Sequence, residues 1–163
     1  MRRAPLGLPC WHPAALAATG LGLGLLPWAP GTWAALAALP CAWAIRGVGG
    51  PVLLLAASAL AFALGCWAAG RVARASDEHD PGFIVVDEIA AQWLALTVVP
   101  LDWRWYAAAF LLFRLFDITK PWPIRAIERR VAGGLGVMLD DVAAALYAVP
   151  ILLIGEGVLG IRP

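Results

Sequence analysis

From Val52 to Ala69 the chain runs eighteen residues without a charged side chain, and Ser58 is its one hydroxyl. A helix needs about 20 such residues to cross the roughly 30 Å hydrocarbon layer of a bilayer. The rest of the chain is of the same kind. Of its 163 residues, 62% are hydrophobic and 14% charged, and the mean hydropathy is +0.80. Soluble domains carry about 25% charged residues, and a soluble fold of this size could not hide so much apolar surface. The composition excludes a disordered chain. A net charge of +1 supplies no basic field, which excludes a nucleic-acid partner. The class that remains is an integral membrane protein forming a single domain over residues 1–163.

Breakers divide the chain. Ala14 to Trp28 is apolar but glycine-rich, and Pro27, Pro30 and Gly31 interrupt it; Trp33 to Ile45 is a second short run. These two read as a broken or re-entrant helical pair, or as two short helices packed inside a bundle. Val52–Ala69 follows the breaker Gly49-Gly50-Pro51. Asp80-Pro81 reads as an N-cap and first helical residue, opening a helix to Val99 that Pro100 stops. A further helix spans Trp103 to Thr119, ended by Pro121 and Pro123. Ile124–Arg130 is a short basic amphipathic turn, Gly133, Gly134 and Gly136 form a flexible loop, and a last helix runs from Val137 to Gly155. The expected fold is therefore all-α: a polytopic membrane helical bundle with about four spanning helices plus that short N-terminal pair.

Arginine and lysine placement orients the bundle. If the four helices alternate, the loops Arg71–Asp80 and Lys120–Gly136 share a side with six basic residues, against Arg46, Arg104 and Arg162 opposite. The richer side is expected to be cytoplasmic. Arg2 and Arg3 before an apolar run mimic a signal peptide, but the remainder of the chain is as apolar as its start. Cys10, Cys41 and Cys66 lie in or near apolar stretches without a C-x-x-C pair and do not read as a disulfide framework or a zinc site, and Cys66 reads as a packing residue. Trp103, Trp105 and Trp122 read as interfacial anchors, and the basic residues from Arg125 to Arg130 as headgroup contacts.

Against this background the acids stand out. Asp87, Glu88, Asp117, Asp140 and Asp141 all fall within about two turns of a helix end on the proposed cytoplasmic side, with Asp80 at the mouth of the same layer. A charged residue at the bilayer centre costs about 2.5–3.5 kcal/mol on insertion scales, so the layer needs a reason. Adjacent helical residues are about 100° apart. One carboxylate of each doublet, Asp87-Glu88 and Asp140-Asp141, is thus expected to face a shared centre while the other points elsewhere. Carboxylates without histidine or cysteine suit a hard divalent ion, Mg²⁺ above all. Arg114, Asp117 and Lys120 follow at intervals of three on one helix. Acids holding Mg²⁺ beside cations is chemistry for a phosphate ester. Blander readings stand beside this one. Arg114–Asp117 is also a sound structural ion pair, Asp140-Asp141 suits a helix N-terminus, Asp80 a cap, and His79 an idle loop position.

Four strings carry a resemblance. They are Ala29-Pro30-Gly31-Thr32; His79 through Glu88, reading HDPGFIVVDE; Phe113 through Ile124, reading FRLFDITKPWPI; and Gly133 through Asp141, reading GGLGVMLDD. In order and spacing they resemble the phosphatidylglycerophosphatase A family over about residues 14–155. The resemblance implies a helical enzyme of the bacterial inner (cytoplasmic) membrane with its active site facing the cytoplasm. It implies Mg²⁺-dependent hydrolysis of phosphatidylglycerophosphate, a phospholipid substrate in the bilayer, to phosphatidylglycerol and phosphate. It also implies a residue set. Asp80, Asp87, Glu88, Asp117, Asp140 and Asp141 are the metal-ligating and catalytic acids, with Asp87, Asp117 and Asp141 central. Arg114 and Lys120 act on the phosphate, with Thr32 as a further contact. One departure falls after Pro-Gly-Thr, where the family pattern has a residue and then Gly-Ser; here Trp33, Ala34 and Ala35 follow.

Other functions fit less well. The paired histidines of histidine-dependent lipid phosphatases, the D-x-D of aspartyl-phosphate phosphatases and the D-G-x-x-D-G-x-x-A-R array of phosphatidyl transferases are absent. A phosphatase for another phospholipid monoester such as phosphatidate remains the nearest alternative. A divalent-cation transport protein is the alternative of a different class, but no chain of polar residues crosses the bilayer.

Overall fold

A computed structural model describes residues 7–76 and 81–159. Among them every regular element is a helix: α1 (Pro13–Ala18), a 3-10 turn (Leu23–Leu25), α2 (Pro30–Ser76), α3 (Val86–Leu96), α4 (Trp103–Thr119), α5 (Ile124–Arg130) and α6 (Gly133–Leu159). Asp80 and His79 lie outside the described residues, and so does any cap or ligand role for them.

The 47 residues of α2 are not one rod. Gly49 (φ −137°, ψ 17°) and Gly50 (φ 66°, ψ −167°) leave helical geometry, and Gly50 adopts a positive φ that a side chain would disfavour. The contacts along α3 reveal what this break does. Gly31 lies against Glu88, Ala38 accepts a bond from Trp93, and Arg46 reaches Leu96 and Val99. The arm before the glycines therefore runs with α3. Beyond them, Ser58 bonds Ala90 and Gly65 meets Val86, so the second arm runs against it. α2 is a helical hairpin closed at Gly49-Gly50. This corrects the expected N-terminal pair: Trp33–Ile45 pairs with Val52–Ala69, while α1 and the 3-10 turn form a separate short segment.

Two helices, Pro30–Ser76 and Gly133–Val158, are long and apolar enough to cross a membrane by length and composition. The expected helix from Pro81 to Val99 shrinks to the 11 residues of α3, about 16 Å at 1.5 Å per residue. Residues 81–85 are spent on a turn, in which the Ile84 amide donates to Pro81 and the Val85 amide to Ala18 of α1. Pro81 is therefore not a first helical residue. The expected glycine loop at 133–136 is instead the first turn of α6. Glycine on both sides of the contact serves close approach: a Cβ on Gly134 would collide with the Cys66 carbonyl, and one on Gly65 of α2 with Met138.

The packing is inverted in size. The buried residues are largely small, among them Ala35, Ala42, Ala68, Ala91, Ala145 and Ala148, while Leu60, Leu111, Ile118 and Ile154 are more than 60% exposed. Small residues let helix backbones approach where burying large side chains brings no hydrophobic gain. Trp103 and Trp122 are exposed as interfacial anchors require, but Trp105 is buried and meets Gly155. It is a packing residue, because the first turn of α4 faces the end of α6.

Candidate active site

All the described candidate residues gather at one end of the bundle. The hairpin brings Thr32 there. α3 begins there, placing Asp87 and Glu88 in its first turn. α4 ends there with Arg114, Asp117 and Lys120, and α6 passes through with Asp140 and Asp141 about two turns in.

At the centre, Asp87, Glu88 and Asp141 each direct one carboxylate oxygen to within 4.8 Å of the others. The Asp140-Asp141 doublet splits as expected. Asp140 turns to Lys120, whose Nζ donates to its Oδ2 at 2.6 Å, and its Oδ1 accepts the Asp141 amide at 3.1 Å. The Asp87-Glu88 doublet does not split, which corrects the helical-wheel expectation. Asp87 Oδ1 accepts the Glu88 amide at 3.1 Å. Glu88, one methylene longer, swings back to the same centre, passing over Gly31, where a Cβ would collide with its carboxylate. Glycine at position 31 is thus a steric requirement of the acidic cluster.

Arg114 organises the cationic side. It donates to Asp117, three residues on, lies 3.8 Å from Glu88 Oε1, and donates to Thr32 Oγ1 at 3.2 Å. Thr32, expected to touch phosphate, holds the guanidinium in this structure. Asp117 faces Glu88 and Asp141 across the same space. Lys120 caps α4 with φ 41°. Proline at 121 disfavours the α region for the residue before it, and the left-handed turn sends the lysine toward α6. The string Ala29-Pro30-Gly31-Thr32 is largely the start of α2. Ala35, where the family pattern has serine, is buried in that helix beside Phe113 and Ala145 and offers no group to the site.

Several polar atoms here are buried without a hydrogen-bond partner: Glu88 Oε2, Asp141 Oδ2, Arg114 Nε and both amide atoms of Gln92. Buried carboxylate oxygens are ordinarily satisfied. Two ionised carboxylates at such a spacing repel by about 3 kcal/mol at an effective dielectric near 20. Three converging carboxylates with spare oxygens are what a cation would fit. Gln92 escaped the sequence reading. Its signal was present: it lies four residues after Glu88, on the same face of an otherwise apolar helix.

The family profile of phosphatidylglycerophosphatase A matches residues 16–156. A phosphatidylglycerophosphatase A of Haemophilus influenzae is 42% identical over 139 residues, 85% of each chain. One from Escherichia coli is 39% identical over 143 residues, 87% of this chain and 81% of the relative. A Bacteroides thetaiotaomicron protein, provisionally named a phosphatidylinositol-3-phosphatase, is 40% identical over 152 residues, 89% of this chain and 94% of the relative. No solved structure matches. The matched span takes in every described site residue from Thr32 to Asp141, and the chain belongs to the phosphatidylglycerophosphatase A family.

Proposed function

We propose that this protein hydrolyses the terminal phosphate monoester of phosphatidylglycerophosphate, releasing phosphatidylglycerol and inorganic phosphate. Water adds to phosphorus, and the bond from phosphorus to the glycerol oxygen breaks. The observation that carries this reading is the meeting of Asp87, Glu88 and Asp141 within 4.8 Å beside Arg114 and Lys120, in a chain of this family.

Asp87, Glu88 and Asp141 would hold Mg²⁺, for which an all-oxygen donor set and two spare carboxylate oxygens are suited. Bound there, the ion would supply Lewis-acid stabilisation of phosphoryl charge. The chain's own groups do the rest. Arg114, fixed by Asp117 and Thr32, presents a planar cation to the phosphoryl oxygens. Lys120, positioned by Asp140, adds a second positive charge. Such preset charges need no reorganisation as the transition state forms. Asp117 stands between cation and acids and is suited to orient the attacking water or take its proton.

The setting is a bilayer. The two arms of α2, with α4 and α6, form the membrane-embedded body, and α3 enters part-way from the side that carries the site. The excess of arginine and lysine on that side supports a cytoplasmic orientation, with the acids at headgroup depth in a bacterial inner membrane. The partner is the phospholipid itself.

The test is phosphate release by the purified protein in detergent micelles. Phosphatidylglycerophosphate, phosphatidate and phosphatidylinositol 3-phosphate are compared, with Mg²⁺ and with chelator. Release from phosphatidylglycerophosphate that needs Mg²⁺ is expected. Turnover indifferent to chelation would remove the ion from the reading, and preference for either other lipid would move the substrate.

A further inference from the structure

A second feature of the same bundle bears on how the substrate is held. Beside the acids, a groove of about 270 Å³ is lined by Leu55, Ser58, Ala59 and Phe62 of α2, Ala90 and Leu94 of α3, and Val142 of α6. Its walls continue the site. Asp87, Ala90 and Leu94 stand at i, i+3 and i+7, one stripe of α3. Val142 is the next residue after Asp141. Phe62 packs on the cluster that contains Val86 and Met138, the residue before Asp87 and the one a turn before Asp141. From there the lining runs away from the acids to Leu55 and Leu94, about 10 Å along α2 at 1.5 Å per residue.

The groove asks for no polar ligand. Its one hydroxyl, on Ser58, is spent on the Ala90 carbonyl at 2.8 Å. Its depth comes from Ala59 and Ala90, whose short side chains leave a channel between the larger Leu55, Phe62 and Leu94. An occupant must be apolar, flexible and narrow, and must enter from the side, because Leu55 and Ala59 face outward. A phosphomonoester held at the acids is trailed by its acyl chains, and these leave the headgroup toward the bilayer centre. The groove begins within a turn of the acids, at Ala90 and Val142, and descends the same way.

We propose that this groove is an acyl-chain subsite of the substrate lipid, which anchors one chain so that the phosphate is presented to the acidic cluster. The proposal rests on the phospholipid reading of the site above. It makes Ala59 and Leu55 specificity-determining residues that touch no reacting atom.

The experiment compares turnover of a long-chain phosphatidylglycerophosphate with that of a six-carbon-chain analogue, in the same micelles with Mg²⁺. Wild type and Ala59→Trp are assayed, the latter filling the channel. The expected result is a fall of about tenfold or more in kcat/KM for the long-chain lipid. Turnover of the short-chain analogue should stay within about twofold, which also shows that the variant is folded. Equal retention of both activities overturns the proposal and leaves the groove to ordinary bilayer lipid. Should Ala59→Trp lose both, Leu55→Trp, on the outward-facing wall, is read by the same two criteria. A wild-type protein inert on both lipids would overturn the phospholipid reading itself, a failure distinct from an active enzyme whose variants ignore chain length.

Discussion

The two ends of α3 are built on opposite principles. At its C-terminal end, carbonyls that helix geometry leaves open are met by Arg46, which donates to Leu96 at 3.0 Å and to Val99. At its N-terminal end, nine residues before Leu96, Asp87 and Glu88 are pushed toward Asp141, and carboxylate oxygens are left without donors. One end has its polar groups paired across the hairpin. The other concentrates like charge where burial makes that costly. A fold selected only for stability would treat both ends alike. The difference is what a structural first end and the proposed binding site at the second would produce.

Substitutions can break that comparison. The largest effect is expected at the open end. Asp87→Asn and Asp141→Asn should each lower kcat by about a thousandfold, while the thermal midpoint stays level or rises, since a like charge is removed. A fall in midpoint that tracks the lost activity would show the acids to be structural after all.

Next come the cations. Arg114→Lys keeps the charge but loses the fork that joins Asp117, Glu88 and Thr32, and should cost about a hundredfold in kcat/KM. Lys120→Gly is the sharper probe, because glycine suits the left-handed cap and only the ammonium is lost. A drop of about tenfold to a hundredfold in kcat without loss of helix content would separate charge from backbone. Full activity would remove Lys120 from the site.

The smallest catalytic effect is expected at the closed end. Arg46→Ala strips charged hydrogen bonds from two carbonyls and should destabilise by about 1.5–3 kcal/mol, with kcat/KM for the short-chain lipid within about twofold. Activity lost out of proportion to stability would mean that the two ends are coupled through α3.

Much of the site was legible in the chain because its chemistry is local. Acids in apolar helices have few structural excuses, and the spacing of Arg114, Asp117 and Lys120 puts them along one helix whatever surrounds it. The Asp140-Asp141 split came from helical rotation alone. The same argument failed for Asp87-Glu88, because a longer side chain and the space above Gly31 bent Glu88 back. Gly134 shows the same limit. Glycine permits a loop and permits close helix contact, and only the neighbouring Cys66 carbonyl and Gly70 amide choose between them.

The sequence by itself determined that the chain is helical and apolar on its outer face, and which side chains can do chemistry, because periodicity, hydropathy and functional-group type belong to single residues. Only the tertiary structure decided that α2 doubles back at Gly49-Gly50, that α3 is short, which carboxylates converge, and that an apolar groove lies beside them. Those outcomes depend on distances between residues far apart in the chain, and such distances exist only once the helices have packed.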